Sequence, residues 1–166
     1  MKSSRTQITF LKPKDFPEAL QIFKQKDALI YIEPLQNLSD DEYFQRFQKK
    51  YEEYKNGSGF HFVARMKDSR ELIGILNLNP MPGSSDMYIG YIINKTYWNK
   101  GYGSELAAWV KDYAIQKAGL VNVFALIEDT NKASKKILEK LGFTLNSIKT
   151  ENEIILKTYK FVAKEK

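Results

Sequence analysis

The stretch that most constrains this chain runs from Tyr88 to Leu106, Y-I-G-Y-I-I-N-K-T-Y-W-N-K-G-Y-G-S-E-L. An apolar, strand-like run to Ile93 feeds a polar connection. Gly101 and Gly103 then open a segment whose apolar residues recur at helical spacing. A strand, an amide-rich turn and a helix N-terminus in that order form an anion site, because glycines let successive N–H groups converge and the helix start adds unsatisfied donors. The expected anion is a phosphate. It is not held by a P-loop, since Ser104-Glu105 supplies no Lys after the last glycine. Nor is it held by a dinucleotide fingerprint, which needs a small residue where Leu106 stands and belongs to the first strand–helix unit.

Periodicity places the remaining elements around this unit. Strands are expected over Thr6 to Phe10, Phe60 to Met66, Leu72 to Leu78, Met87 to Ile93, Val121 to Ile127, Phe143 to Ile148 and Ile154 to Val162. Helices are expected after Pro13-Lys14-Asp15, after the capping box Ser39-Asp40-Asp41-Glu42, from the glycine turn to about Ala118, and from Lys132 to Leu141. The order β α α β β β α β α β β predicts an α+β fold with a mixed sheet, and 166 residues suit one domain spanning 1–166.

Composition narrows the chemistry. Without cysteine there is no disulfide, thiolate metal site or acyl-cysteine route, and one histidine rules out a histidine metal cluster within the chain, so no metal is expected. No apolar run approaches a membrane span, and Met1-Lys2-Ser3-Ser4-Arg5 leads into a polar-interrupted strand rather than a signal-peptide core. A cytoplasmic protein without membrane attachment is expected. The net charge of +6 is scattered among acids, although Lys95, Lys100, Lys132, Lys135 and Lys136 lie near the glycine turn and the Asn131 segment. No nucleic-acid module is recognisable.

Trp98-Asn99-Lys100-Gly101-Tyr102-Gly103 resembles the pyrophosphate loop, Gln/Arg-x-x-Gly-x-Gly/Ala, of the GNAT superfamily of acetyl-CoA-dependent N-acetyltransferases. Trp98 departs from the general first position. Tyr-Trp-x-Lys-Gly-Tyr followed by Glu is nonetheless similar to the ribosomal-protein N-terminal acetyltransferase (RimJ/RimL-like) branch. A second block, Asn131-Lys132-Ala133-Ser134 through Leu141-Gly142-Phe143, resembles the superfamily's Asn-x-x-Ala/Ser and Leu-Gly-Phe elements. The resemblance implies a GNAT-type three-layer fold, with a mostly antiparallel central sheet flanked by helices. The strands near Met87 to Ile93 and Val121 to Ile127 should run parallel and splay, with acetyl-CoA in the gap.

Residue by residue, the resemblance implies cofactor contacts from the backbone of Lys100, Gly101, Tyr102, Gly103 and Ser104, from exposed backbone groups of Ile92 and Ile93, and from Asn131 and Lys135. Asn131 is equally suited to cap a helix. The superfamily's proton-donating Tyr is replaced by Leu138, which makes Ser134 the candidate general acid at the CoA sulfur. The branch's acidic residue before Ile-Gly-Tyr is replaced by Tyr88. Asp86, Glu128, Glu33 or a bound water therefore remain open as the base, and Tyr31, Glu33, Asp86, Tyr88 and Glu128 are the expected acceptor-side residues. The implied reaction is acetyl transfer to a primary amine by direct attack. Its leading acceptor is a protein or peptide N-terminus, and the alternatives are a polyamine or aminoglycoside, or an acetyl-CoA-binding module without turnover. A homodimer is the oligomer that the fold suggests. His61, between Phe60 and Phe62, reads as structural.

Overall fold

The computed structural model describes residues 5–81 and 83–163, so the Met1–Ser4 stretch and Pro82 lie outside the described residues. Its strands are β1 (Thr6–Phe10), β2 (Phe60–Met66), β3 (Leu72–Pro80), β4 (Met87–Ile93), β5 (Asn122–Glu128), β6 (Thr144–Glu151) and β7 (Ile154–Val162). The helices are α1 (Phe16–Phe23), α2 (Asp40–Lys55), α3 (Tyr102–Gln116) and α4 (Lys132–Lys140). The seven strands form one sheet in the order β1-β2-β3-β4-β5-β7-β6. Every neighbouring pair is antiparallel except β4 and β5. This is the three-layer α+β architecture expected from the chain.

The two faces of the sheet follow from strand alternation, which sends successive side chains to opposite sides. Val63, Ile75 and Ile92 face α1 and α2, where Phe16, Leu20, Phe23, Tyr43 and Phe47 pack on them. Phe62, Leu76, Leu78 and Ile89 face the other way and are covered by Leu106, Val110 and Ala114 of α3 and Leu138 of α4. Both faces are thus buried, which explains why β2 and β3 read as nearly continuous apolar runs. Local signals set the helix ends. Ser39 Oγ accepts from Glu42 N–H while the Glu42 carboxylate accepts from Ser39 N–H at 2.7 Å, completing the capping box. Gly142, at φ 85°, ends α4.

The β4–β5 pair is the irregularity that matters. These seven-residue strands are in register only at Tyr88–Phe124 and Ile89–Ala125, and beyond those positions they separate toward their C-terminal ends. The expected splay is present. It leaves a wedge in the middle of the sheet, bounded by the residues after Ile89 and after Ala125.

Candidate functional site

The glycine turn sits at one lip of the wedge. Gly101, at φ 83°, is the N-cap of α3 and offers no side-chain cap; Asn99 is also left-handed, at φ 59°. The first α3 bond runs from Glu105 N–H to the Gly101 carbonyl, so the N–H groups of Tyr102, Gly103 and Ser104 have no intrahelical acceptor. Three free donors at the positive end of a 15-residue helix suit a pyrophosphate. Arg5 braces the turn from outside: its Nη1 donates to the Lys100 carbonyl at 3.0 Å, its Nε donates to Glu105 at 2.8 Å, and its guanidinium lies 3.8 Å from the Tyr102 ring centre. A Cβ on Gly103 would lie 3.1 Å from Ile137 Cδ1, so that glycine also lets α4 approach α3.

Several lysines around the turn are engaged locally. Lys100 Nζ donates to the Thr96 carbonyl at 2.8 Å, Lys95 pairs with Asp27 at 3.1 Å, and Lys132 lies 3.8 Å from Asp129. Lys135, in the first turn of α4, pairs with Glu139 at 3.8 Å. All of these contacts are solvent-exposed and readily exchanged for a phosphate.

The expected pair Ile92 and Ile93 divides. Asn94 N–H donates to the Ile73 carbonyl at 2.8 Å, and the Ile92 carbonyl lies against Gly74, so Ile92 directs its backbone into the β3 ladder. Alternation then turns the backbone of Tyr91 and Ile93 toward β5, into the wedge. The Ile92 side chain lies in the core on the α1–α2 side, and the backbone of Tyr91, like that of Ile93, faces the wedge. The Ile93 carbonyl already accepts from Trp98 Nε1 at 2.8 Å, which leaves its N–H as the group open to a ligand.

On the other lip, Asn131 caps α4: its Oδ1 accepts from Ser134 N–H at 3.0 Å. The cap fixes the first turn of α4 and with it the half-buried Ser134. Leu138, where the resembling superfamily often has Tyr, is fully buried in the core. The Tyr91 hydroxyl is buried with no hydrogen-bond partner. Burial pushes the Tyr91 phenol up to about 12, with the Ser134 side chain pulling weakly the other way. Sequence reading passed over Tyr91 because an Ile-Gly-Tyr strand residue looks like core.

The acceptor-side residues separate into three groups. Glu128 ends β5 beside the wedge; burial raises its pKa, the charge of nearby Glu33 raises it further, and Thr130 opposes both. Glu33 is near enough for its charge to act on Glu128, and Tyr31 is exposed just before the Glu33–Leu35 3-10 turn. Asp86 stands apart from these residues. It precedes β4, at the strand's closed end and roughly 20 Å of strand rise from Ile93, where it accepts from Ser84 Oγ at 3.0 Å and closes the β3–β4 loop. Tyr88 faces α2, where burial raises its pKa and Asn79 lowers it. Beside it runs a polar chain: Asn79 donates to Asn77 at 2.7 Å, Lys50 donates to Asn79 at 3.2 Å and pairs with Glu53 at 3.0 Å, and Glu53 meets His61 Nε2 at 3.0 Å. Asn77 Oδ1 occupies the space a Cβ would need at Gly90, 2.5 Å away, which accounts for that glycine. Among the described residues no cluster of His, Cys, Asp or Glu could hold a metal ion.

The comparisons agree with this geometry. A family model described as an acetyltransferase (GNAT) domain matches residues 5–144. The chain is 30% identical over 91 residues to the uncharacterized N-acetyltransferase YoaA of Bacillus subtilis (strain 168), an alignment covering 54% of this chain and 51% of that protein. It thus spans about half the length of the first curated relatives it matches. Among solved structures, RimL, a ribosomal L7/L12 α-N-protein acetyltransferase in complex with coenzyme A, superposes with a TM-score of 0.83 at 16% identity, covering 96% of this chain and 95% of that one. A chimera of the Vibrio cholerae spermidine N-acetyltransferase SpeG with hSSAT superposes with a TM-score of 0.82 at 18% identity, covering 96% of each chain. At such identities these structures speak to the fold. The family match spans most of the chain and contains both the wedge and the glycine turn, and the chain belongs to the GNAT acetyltransferase family.

Proposed function

We propose that the protein is an acetyl-CoA-dependent N-acetyltransferase acting on a primary amine, with the N-terminal α-amine of a protein or peptide as its leading acceptor, as in the RimJ/RimL-like branch. The observation that carries this reading is the splay of β4 from β5, with free helix N-terminal amides at one lip. Backbone N–H groups of Tyr102, Gly103 and Ser104 hold the pyrophosphate, with Lys100 and Lys135 adding charge. Open backbone groups of Tyr91 and Ile93 hold the pantetheine arm as a strand would. Asn131 fixes α4 so that Ser134 faces the sulfur.

Acetyl-CoA supplies the activated acetyl group, and the chain's residues organise its transfer. Glu33 and Glu128 attract an ammonium to the wedge, and Glu128 removes its proton; the raised pKa of Glu128 makes it a better base than an ordinary carboxylate. The amine nitrogen then adds to the carbonyl carbon. Ile93 N–H faces the oxygen on which charge develops. A C–N bond forms and the added nitrogen gives up its second proton to solvent; the C–S bond breaks with its electron pair going to sulfur, Ser134 supplies that sulfur with a proton, and Ser134 Oγ takes one back from solvent.

Two carboxylates whose charges act on one another, Glu33 and Glu128, also favour a polycationic acceptor, so a polyamine is the second reading. Thiol release from acetyl-CoA with a panel of N-terminal peptides and polyamines decides between them. Release with peptides at kcat/KM at least about tenfold above spermidine is expected. The reverse order would assign the small amine. Coenzyme A binding without release for any amine would leave only the binding module.

A further inference from the structure

The turn into α3 holds its shape without the usual side-chain cap. In α2 and α4 the N-cap oxygen of Ser39 or Asn131 accepts from a first-turn N–H and so uses up a donor. Gly101 has no side chain to do this, and because glycine suits either sign of φ it leaves the peptide plane before it free to turn. The plane has to be fixed from outside. Arg5, which precedes β1, spans the turn: its Nη1 donates to the Lys100 carbonyl at 3.0 Å, its Nε and Nη2 both lie 2.8 Å from Glu105 Oε2, and its guanidinium covers the Tyr102 ring. One end of this fork thus holds the carbonyl before Gly101, and the other holds the first turn of the helix after it. A lysine has no such fork.

Peptide geometry carries the consequence. No peptide bond among the described residues is cis, so the Gly101 N–H points opposite to the Lys100 carbonyl and away from the Arg5 group that holds it. That N–H has no acceptor among the described residues. Gly101 is left-handed, at φ 83°, and Tyr102 is helical, and such a neighbouring pair turns successive N–H groups into one concavity. We propose that Arg5 is a positioning residue for coenzyme A: by holding the Lys100 carbonyl it turns the Gly101 N–H inward, beside those of Tyr102 and Gly103, as a further donor to the pyrophosphate. The inference rests on the reading of the glycine turn given above. Arg5 itself touches no part of the ligand. It fixes the turn through a carbonyl rather than an amide, so no donor is consumed, and it offsets the Glu105 carboxylate, whose charge in the first turn would otherwise repel phosphate.

The test compares the parent with Arg5→Lys, which keeps the charge and loses the fork. In calorimetry, Arg5→Lys weakens CoA binding about tenfold, by the same ratio at low and high salt, because a position and not a screened charge is lost. In NMR, CoA moves the Gly101 amide proton of the parent downfield, as a new hydrogen bond does, and moves it much less in Arg5→Lys. Parent-like affinity in Arg5→Lys, or a loss that disappears at high salt, overturns the inference and leaves the acetyltransferase reading standing. If Arg5→Lys does not fold, the parent decides alone: a Gly101 amide that ignores CoA, while those of Tyr102 and Gly103 respond, overturns the inference in the same way. Failure of the parent to bind CoA overturns both.

Discussion

Glu128 carries the residue-scale argument about the base. Its pKa is raised by burial and by Glu33, so the rate should climb with pH through a value above the ordinary carboxylate range. Glu128→Gln should lower kcat/KM at least about tenfold and remove that acid limb. Glu33→Gln, by deleting a negative neighbour, should instead move the limb to lower pH. A limb that follows the amine's pKa and ignores both substitutions would transfer deprotonation to solvent.

His61 makes a prediction about stability. Burial, and then the Lys50 charge, lower its pKa from 6.5 to about 4, outweighing Glu53. Between those values the unfolded chain binds the proton that the folded protein refuses. The His61 contribution is therefore fully present above about pH 6.5 and is lost as pH falls toward 4. The neighbouring carboxylate of Glu53, whose pKa is lowered, adds its own loss at still more acid pH. Thermal unfolding from pH 7 to 4 should show a falling Tm in the parent and a flatter profile in His61→Phe. Parallel profiles would show that His61 is protonated in the fold.

At the scale of elements, the turn into α3 joins backbone conformation to binding. Gly101 has φ 83°, and a Cβ there would meet only Arg5 Nη2 at 3.6 Å, so the cost of a side chain is conformational rather than steric. Gly101→Ala should destabilise by about 1–2 kcal/mol and weaken CoA binding severalfold as the amides lose alignment. Thermal unfolding and calorimetry read the two effects, and an unchanged CoA affinity would remove the turn from the phosphate site. The elements themselves were legible because local periodicity and caps determine them. Ser39–Glu42, Gly101 and Gly142 stand at helix ends as their chemistry dictates. The site was less so. Which of Ile92 and Ile93 faces the wedge depends on ladder parity, which no composition encodes. Asp86 and Glu128 look equivalent in sequence, yet strand direction places them at opposite ends of the parallel pair. The influence of the Glu33 charge on Glu128, 95 residues away in the chain, exists only in three dimensions.

For the whole molecule, the short register between β4 and β5 has a mechanical meaning. A continuous sheet resists bending because every rung shares the load. Here the block β1 to β4 is joined to the block β5 to β7 by two registered pairs, while β5–β7 is registered at seven. The sheet is thus a book bound by a narrow spine at Tyr88–Ile89 and Phe124–Ala125, with α3 and α4 lying across its back. Small rotations about that spine widen the pages near Ile93 and Glu128 without disturbing either block. Amide hydrogen exchange should therefore be fastest, among strand residues flanking the seam, at Tyr91 and Ile93, and should slow there when CoA is added, while β2 and β3 stay protected throughout. Uniform protection across β4, indifferent to CoA, would mean a stiff spine. On the hinged reading, a molecule lodged in the opening finishes the binding: it lends the missing rungs, and the two covers then move as one.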